Sequence, residues 1–335
     1  MKVIVDAFGG DNAPLEILRG AAQAVAEYDV SVVLTGDEQT IRRVAAEDGI
    51  SLEKMEIIDA PDVISMDDEP RSILKEHKNC SMAEGLRQLG AGNGDAFVTA
   101  GSTGAMIMGA TFLVKRIKGV SRAALAPLMP SNKGPFMLID SGANAECRPE
   151  MLLQFAHMGS LYMEQLLGRR PTVGLINIGT EDHKGGSLQQ EAFALLKDSG
   201  LDFIGNVEAR DIPFGAADVL VADGFTGNVV LKLMEGTTDA LLKNVKAIFM
   251  SNPVTKLAGA MVKPKLGDFK KKMDTSEYGG APLLGVSKPV IKTHGNSKAP
   301  AVKHAIRVAA EFANAGVIEK IAAAVRPNET EKEAE

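Results

Sequence analysis

The chain has 335 residues, of which 45% are hydrophobic and 24% are charged, and its formal net charge at pH 7 is −6. This length fits one large domain or two lobes that share a core, since single domains usually contain roughly 100–200 residues. The negative charge and the absence of tryptophan argue against nucleic acid as the main partner, because its binding uses basic surfaces and stacking aromatic rings.

The first predicted element is a strand at Val3–Asp6, whose apolar run is too short for a signal peptide. The longest weakly polar run, 104–114, is far below the ~18 residues needed to span a bilayer. The two cysteines, Cys80 and Cys147, show no pairing pattern. We therefore expect a protein of the reducing cytoplasm, which is either soluble or attached to a membrane only at its surface.

Short β-rich runs alternate with helical patterns along the chain. Strands are predicted over Val3–Asp6, Ser31–Thr35, Met55–Asp59, Ala96–Thr99, Met137–Asp140, Thr172–Ile178, Phe203–Gly205 and Val219–Ala222. Apolar residues at three- or four-residue spacing predict helices over Leu15–Ala26, Cys80–Leu89, Met151–Leu167, Leu188–Leu196 and Asn228–Phe249. This alternation is typical of βαβ units and predicts an α/β fold with a mainly parallel sheet covered on both faces.

The domain expectation follows from composition. No polar, low-complexity linker interrupts the first 325 residues. We therefore expect residues 1–325 to form a single catalytic α/β unit, either compact or divided into two lobes. The last ten residues, "RPNETEKEAE" at 326–335, are charged and are predicted to be a disordered tail.

Turns rich in glycine and hydroxyl groups follow several predicted strands. They lie at Asp6–Asp11, Thr99–Gly104, Asp140–Asn144, Gly179–Gly185 and Asp223–Asn228, with further turns at Tyr278–Pro282 and His294–Ser297. In a parallel sheet such turns meet at the carboxyl edge, where ligands bind. Backbone N–H groups, hydroxyls and helix N-termini together suit an oxyanion such as phosphate. Any single turn of this kind is also ordinary strand-to-helix chemistry.

Standard nucleotide and hydrolase motifs are absent. The glycine-rich segment Gly90–Gly94 precedes a predicted strand, so it fails as a dinucleotide fingerprint, and no P-loop occurs. Neither Gly-x-Ser-x-Gly nor His-Glu-x-x-His is present. We interpret the acidic run Met66–Pro70 as the first turn of a helix and not as a Mg²⁺ site. No metal and no cofactor are assigned.

The segment "NIGTEDHKGG" at 177–186 concentrates reactive groups directly after a predicted strand. His183 can exchange a proton near neutral pH, and Lys184 can neutralise an oxyanion. Thr180 either caps the next helix or holds a ligand. The alternative interpretation is an exposed polar loop. Cys147 is interpreted as a small buried residue, because no activating group is evident near it in the sequence.

Seven segments together resemble the phosphate acyltransferase family of bacterial phospholipid synthesis. They are "DAFGGDNAP" at 6–14, "TAGSTGA" at 99–105, "DSGAN" at 140–144, "GTEDHKG" at 179–185, "ADGFTGN" at 222–228, "YGGAPLLG" at 278–285 and "HGNS" at 294–297. The resemblance implies a three-layer α/β/α fold with a cleft, similar to the isocitrate/isopropylmalate dehydrogenase–phosphotransacetylase group, and a homodimer. It also implies conversion of acyl-acyl carrier protein and inorganic phosphate to acyl phosphate and free carrier protein.

That reaction divides the candidate residues into two groups. Phosphate attacks a thioester carbonyl, so the site must orient phosphate and stabilise the oxyanion that develops. We expect Lys184 to stabilise negative charge, His183 to protonate the departing thiolate and Asn228 to orient phosphate or the thioester. The substrate-binding candidates are Gly101, Ser102, Thr103, Gly104, Asn144, Thr180 and Thr226, with Asp6 and Asp11 as organisers of the first loop.

Surface patterns indicate partners. Basic clusters at 115–118 and 256–272 are candidate docking sites for an acidic acyl carrier protein, or are solvated helix faces. Apolar residues and lysines are mixed over 247–266, which suits a membrane surface, a dimer contact or a lid over the acyl chain. The alternatives to the leading function are a short-chain acyl-CoA phosphotransacylase, a non-catalytic scaffold that recruits carrier protein or membrane acyltransferases, and an NAD-linked dehydrogenase.

Overall fold

The computed structural model describes residues 1–273 and 278–325; the predicted charged tail at 326–335 lies outside the described residues. The strands are β1 Lys2–Asp6, β2 Ser31–Gly36, β3 Met55–Asp59, β4 Ala96–Thr99, β5 Ala124–Leu125, β6 Leu128–Met129, β7 Phe136–Ile139, β8 Thr172–Asn177, β9 Asp202–Glu208, β10 Val219–Val221, β11 Ala281–Leu284 and β12 Val290–Lys292. The α-helices are α1 Leu15–Glu27, α2 Glu38–Glu47, α3 Ser81–Gly90, α4 Thr103–Gly109, α5 Pro149–Leu167, α6 Ser187–Lys197, α7 Gly224–Met250, α8 Pro253–Met273, α9 Ala299–Asn314 and α10 Val317–Ala324.

Two shorter helical types complete the chain. A π-helix, Ala110–Lys115, continues α4, and 3₁₀-helices lie at Pro70–Leu74 and Ala209–Phe214. The 3₁₀-helix Pro70–Leu74 begins at the last residue of the acidic run Met66–Pro70. This confirms that the run leads into a helical turn.

The strands form two mostly parallel sheets. One has seven strands in the order β3-β2-β1-β4-β12-β11-β5, and β11 runs antiparallel to both of its neighbours. The other has five strands in the order β6-β7-β10-β8-β9, and only β6 runs antiparallel to its neighbour. The α/β class with mainly parallel strands is therefore confirmed. The division into two sheets was not predicted, because hydrophobic periodicity does not indicate which strands pair.

A shared core joins the two sheets. Val3 and Val5 of β1 pack in one cluster with residues of α1, α5 and α9, and this cluster also contains Met137 and Val219 of the second sheet. Ile4 points to the opposite face, where it packs with α3 and α4. Helices therefore cover both faces of the first sheet, as the period of two along a strand requires.

Helices α7 and α8 form a hairpin of largely exposed residues. Helix α7 buries only Gly224, Gly227 and Val230, all near its start, and it packs against α8 farther along. Large apolar side chains of the hairpin are exposed, and they are Phe225, Val229, Leu233, Leu241, Ile248, Met250, Val254, Leu257, Met261, Val262 and Phe269. Among the described residues, no helix combines the length and the apolar character needed to cross a bilayer.

Candidate functional site

A cavity of about 320 Å³ lies where strand ends of both sheets meet, and we call it the inter-sheet cavity. Its polar lining comes from the turns after β4, β7 and β12 and from α7, and it consists of Thr103, Ser141, Asn228, Lys232, Glu235, Lys292, Thr293 and His294. Its apolar lining includes Leu125, Leu128, Met129 and Leu231. Turns that are far apart in the sequence thus share one hollow at the carboxyl edge, as predicted for a parallel sheet.

Lys292 supplies a buried positive charge at this cavity. The residue is the last of β12 and is only 8% exposed. Its ammonium donates to the carbonyl oxygen of Ala100 at 3.3 Å and to that of Thr293. Burial lowers the pKa of Lys292 to about 8, although the negative charges of Asp6 and Asp11 act in the opposite direction. An anionic ligand would compensate this desolvated charge.

Three further donors at the cavity have no partner within the described part of the chain. The Thr103 hydroxyl and the Asn228 amide make no hydrogen bond, and the exposed Lys232 ammonium makes no ion pair. Such groups bind oxygens of an anion through hydrogen bonds that its charge strengthens. Together with Lys292 they place four donor side chains on the lining of one cavity.

Glu235 adds a single acceptor to this set. Its Oε1 atom is buried and accepts no hydrogen bond from the residues described, although the Nε2 atom of His294 lies 3.3 Å away. His294 follows β12 of the first sheet, whereas Glu235 lies on α7, which packs on the second. The pair therefore bridges the cavity, and the Glu235 oxygen can accept a hydrogen bond from a ligand hydroxyl.

The buried carboxylate of Asp6 ties two turns together. It accepts hydrogen bonds from Ser81 Oγ at 2.6 Å and from Thr99 Oγ1 at 2.7 Å. Its own loop also donates to it, through the Phe8 N–H at 3.3 Å. Burial raises the pKa of Asp6, and these hydrogen bonds oppose the rise. The side chain holds the first loop beside the end of β4.

Asp140 plays the same part at the end of β7. Its carboxylate accepts from the backbone N–H groups of Leu125, Ala143 and Asn144, at 2.9, 3.0 and 2.7 Å. Burial raises the pKa of Asp140, whereas these hydrogen bonds lower it. Because the loop 140–144 folds around this carboxylate, Ser141 and Gly142 are placed at the inter-sheet cavity.

The start of α7 packs directly on that loop. Asp223 caps the helix by accepting from the Thr226 N–H and hydroxyl, both at 2.8 Å. A Cβ atom at Gly227 would overlap the carbonyl oxygen of Asp140, so only glycine allows this approach. The close packing places Asn228 at the cavity.

The turn Gly101–Gly104 brings one of its four predicted residues, Thr103, to the cavity lining. Gly101 donates its N–H to Thr99 Oγ1 at 2.9 Å, and Ser102 caps α4. A Cβ atom at Gly104 would lie 2.7 Å from Pro70 Cγ, so packing against the 3₁₀-helix requires this glycine. Ligand binding by Gly101, Ser102 and Gly104 stays a prediction.

Asn144 and Thr226 do not line the inter-sheet cavity, and their donors are engaged within the chain. The Asn144 amide nitrogen donates to the Ala123 carbonyl at 2.8 Å and to Asp140 Oδ2 at 3.0 Å. The Thr226 hydroxyl donates to Asp223. Asp11 is exposed, and its N–H donates to the Gly295 carbonyl at 2.7 Å. The structure gives all three a role in holding the loops.

The loop after β8 carries Thr180, His183 and Lys184, and none of them lines the inter-sheet cavity. Thr180 and His183 are exposed, and Lys184 Nζ lies 3.8 Å from Glu181 Oε1. Because β8 pairs with β10, this loop starts about 5 Å from the strand end that leads into α7. The catalytic roles of Lys184 and His183 stay predictions.

Sequence reasoning missed Lys292, Glu235 and His294 as a group. Strand β12 has three residues, too few to show a period of two, and the helical pattern around Glu235 reads as an exposed face. The available signal was the segment "HGNS", which follows Lys292 after one residue and was already identified as a turn.

Cys147 has the properties of a structural thiol. It is half-buried, and its Sγ atom donates to the Asn144 carbonyl at 3.5 Å. Burial raises its pKa to about 11, so the thiol stays protonated at neutral pH. This agrees with the interpretation that it is no nucleophile.

Comparisons with known proteins give one consistent result. Residues 1–320 match the family model described as "Fatty acid synthesis protein". The chain is 47% identical to a phosphate acyltransferase of Clostridium novyi, over 96% of this chain and 97% of that one. It is 48% identical to a phosphate acyltransferase of Geobacillus thermodenitrificans, over 96% and 98% of the two chains.

Solved structures share the fold at low sequence identity. EutD phosphotransacetylase from Staphylococcus aureus superposes with a TM-score of 0.60 and 18% identity, over 93% of this chain and 94% of that one. A 4-hydroxythreonine-4-phosphate dehydrogenase from Klebsiella pneumoniae gives 0.56 and 15%, over 94% and 99%. These two likenesses establish the fold alone.

Proposed function

Because the chain belongs to the phosphate acyltransferase family and transfers an acyl group to phosphate, we propose that the inter-sheet cavity binds the phosphate and that a thioester of acyl carrier protein is the acyl donor. The observation that carries the phosphate site is the buried ammonium of Lys292, which lines the same cavity as the unpartnered Thr103 hydroxyl and Asn228 amide. The resemblance of the turns to the family carries the choice of carrier protein.

The proposed reaction needs no covalent intermediate on the enzyme. A phosphate oxygen attacks the thioester carbonyl carbon, and the carbonyl oxygen takes up the negative charge. The carbon–sulfur bond then breaks, the thiolate takes a proton, and acyl phosphate and the free thiol leave. Lys292, Thr103 and Asn228 hold and orient the phosphate, which supplies most of the advantage of a bound nucleophile.

Three other groups accept the hydroxyl hydrogen of phosphate, stabilise the carbonyl oxyanion and protonate the thiolate. The buried Oε1 of Glu235 accepts the hydroxyl hydrogen of monohydrogen phosphate, so the attacking oxygen is an unprotonated one. Lys184, on the loop after β8, stabilises the carbonyl oxyanion, and His183 supplies the proton to the thiolate.

Two surfaces suit the proposed partners. Lys115, Arg116 and Lys118 are exposed and form a basic cluster for an acidic carrier protein. Of the second cluster, Lys256, Lys263 and Lys265 are exposed on α8, whereas the side chains of Lys270, Lys271 and Lys272 lie outside the described residues.

The α7–α8 hairpin is proposed to serve dimerisation and membrane attachment. Its exposed apolar side chains need a covering, and residues 247–266 combine them with lysines. We place the protein in the cytoplasm as a homodimer, attached peripherally to the inner face of the membrane, where acyl phosphate enters phospholipid synthesis.

Phosphate-dependent thiol release tests both parts of the proposal. Long-chain acyl-carrier protein is compared with acetyl-CoA and butyryl-CoA, and the carrier-protein thioester is expected to give the higher kcat/KM. Lys292→Met should lower kcat/KM for phosphate by roughly 10²–10³, and Lys184→Ala should lower kcat by a similar factor. Lys288→Met, an exposed lysine just before β12, is the matched control.

Each outcome has one meaning. If Lys292→Met has a near-normal kcat/KM for phosphate, the inter-sheet cavity is not the phosphate site. If Lys184→Ala has a near-normal kcat, Lys184 has no catalytic role. Preference for the CoA thioesters indicates a short-chain phosphotransacylase. Failure to form acyl phosphate from any donor indicates a scaffold protein.

A further inference from the structure

A second cavity, of about 610 Å³, lies beside the first, and we call it the lateral cavity. Its walls are the 3₁₀-helix at Pro70–Leu74 with the turn after it, helix α4 with its π-helical continuation, and the residues around Arg122 and Asn144. The reaction steps given above use none of its charged groups.

The two cavities are close neighbours, because two segments, the loop 141–144 and helix α4, contribute residues to the lining of both. Ser141 and Gly142 line the inter-sheet cavity, and the next two residues line the lateral one. Thr103 and Ile107 lie one turn apart on α4, about 6 Å along the helix, and face the first and the second cavity respectively. The loop 141–144 and one turn of α4 are therefore shared by the walls of the two cavities.

The lateral cavity has an excess of positive charge. Four cations, Arg71, Lys75, Arg116 and Arg122, stand against two carboxylates, those of Glu69 and Glu76. Within the described ranges, the side chains of Arg71, Lys75 and Arg122 make no ion pair or hydrogen bond. Arg116 donates to the Ser121 carbonyl. Arginines that are free of partners are suited to a phosphodiester, which their planar donors bind in pairs.

Apolar side chains form another part of the same wall. Leu74, Ile107 and Met108 are half-buried, and Phe112 is 59% exposed. A small inorganic anion would leave these side chains uncovered, and a bare acyl chain would leave the arginines unpaired. The lining therefore fits an elongated molecule that has a phosphodiester at one end and an uncharged body.

We propose that the lateral cavity binds the phosphopantetheine arm of the acyl donor, with its phosphodiester on Arg71 and Arg122 and its body along Ile107 and Phe112. The thioester then lies at the loop 141–144, next to the phosphate. This inference rests on the proposed thioester donor. The inference applies to acyl-carrier protein and to acyl-CoA alike, because both donors carry the acyl group on phosphopantetheine.

Binding of the arm alone tests the inference without turnover. Isothermal titration calorimetry compares 4′-phosphopantetheine with pantetheine on the full-length chain. The wild type should bind the phosphorylated form about tenfold more tightly, and Arg71→Gln/Arg122→Gln should bind the two forms equally. Arg71→Lys/Arg122→Lys should recover part of the preference. Arg42→Gln/Arg43→Gln, on the exposed face of α2, is the matched control and should behave as wild type.

Kinetics separate the two sources of the arm. In the glutamine double variant, KM should rise about tenfold for acyl-carrier protein and for acyl-CoA alike, with KM for phosphate unchanged. A rise for the carrier protein alone, with unchanged affinity for free phosphopantetheine, would overturn the inference and indicate protein docking at these arginines. Equal binding of both small molecules by wild type overturns it as well. Absence of thiol release from wild type refutes the proposed function instead, and the calorimetric result is independent of it.

Discussion

At the scale of single residues, the site consists of one desolvated cation and several buried carboxylates with different tasks. Asp6, Asp140 and Asp223 each accept several hydrogen bonds from turns, so their charge is used to shape loops. Lys292 donates only to backbone carbonyl oxygens and pairs directly with no carboxylate of the described residues. A group in this state is stabilised by an arriving anion, which is the property a phosphate site needs.

The lowered pKa of Lys292 predicts a dependence of stability on pH. Between about 8 and its ordinary value of 10.5, the unfolded chain holds a proton on this lysine that the folded chain has lost. The free energy of unfolding should therefore rise with pH across that window, by up to about 3 kcal/mol from this group. Denaturant titrations from pH 7.5 to 10.5 measure it. Lys292→Met should lack this component, so parallel curves for the two proteins would contradict the prediction.

At the scale of elements, the regular βαβ units were predictable from the sequence. The short strands β5, β6, β11 and β12, which include the antiparallel pairs, were not. Strands β3 and β4 and the start of α1 lie where the sequence pattern placed them. Strand β4 is a short apolar run that ends in a glycine-rich turn, and α1 is long enough to show its period. Strands β5, β6, β11 and β12 have two to four residues. Their position is decided by pairing with distant strands, which leaves no local pattern, and the cavity they border could not be derived from sequence.

The same limit applies to the predicted site residues. Turn chemistry indicated loops that meet at the carboxyl edge, and two of the predicted residues, Thr103 and Asn228, line the inter-sheet cavity. It could not show that the donors of Asn144 and Thr226 are engaged within the chain, because that depends on hydrogen bonds which only the fold reveals. Ligand binding by all four residues stays a prediction.

The exposed hairpin predicts membrane attachment that a change of charge abolishes. Leu257 and Met261 are 68% and 78% exposed and lie one turn apart on α8. The double variant Leu257→Glu/Met261→Glu should lose flotation with liposomes that contain anionic lipid, because two carboxylates would have to enter the interface. Flotation equal to that of wild type would exclude this segment. Thiol release in solution serves as the control for folding.

At the scale of the whole molecule, the proposed phosphate site lies where the two sheets contribute to one cavity, beside a core that they share. Neither sheet holds the donors alone. Thr103 follows β4 and Lys292 ends β12 in the first sheet, whereas Asn228 lies on the helix that follows β10 of the second. Binding of phosphate should therefore act on both sheets together.

Hydrogen exchange tests this joint response. Saturating phosphate should slow amide exchange at 99–105, at 139–144 and at the start of α7 in the same titration. It should also stabilise the fold by about 2.7 kcal/mol at a concentration of one hundred times Kd. Lys292→Met should show neither effect. Protection confined to the segments of one sheet would contradict a site shared by both.

The buried ammonium of Lys292 also bears on how long the chain survives in a cell. The substrate-free protein carries a desolvated charge, so it opens more readily and offers proteases more unfolded backbone. Phosphate bound at the proposed site would relieve that charge and lower the population of opened chain. The rate at which proteases degrade the protein would then fall as the supply of phosphate rises.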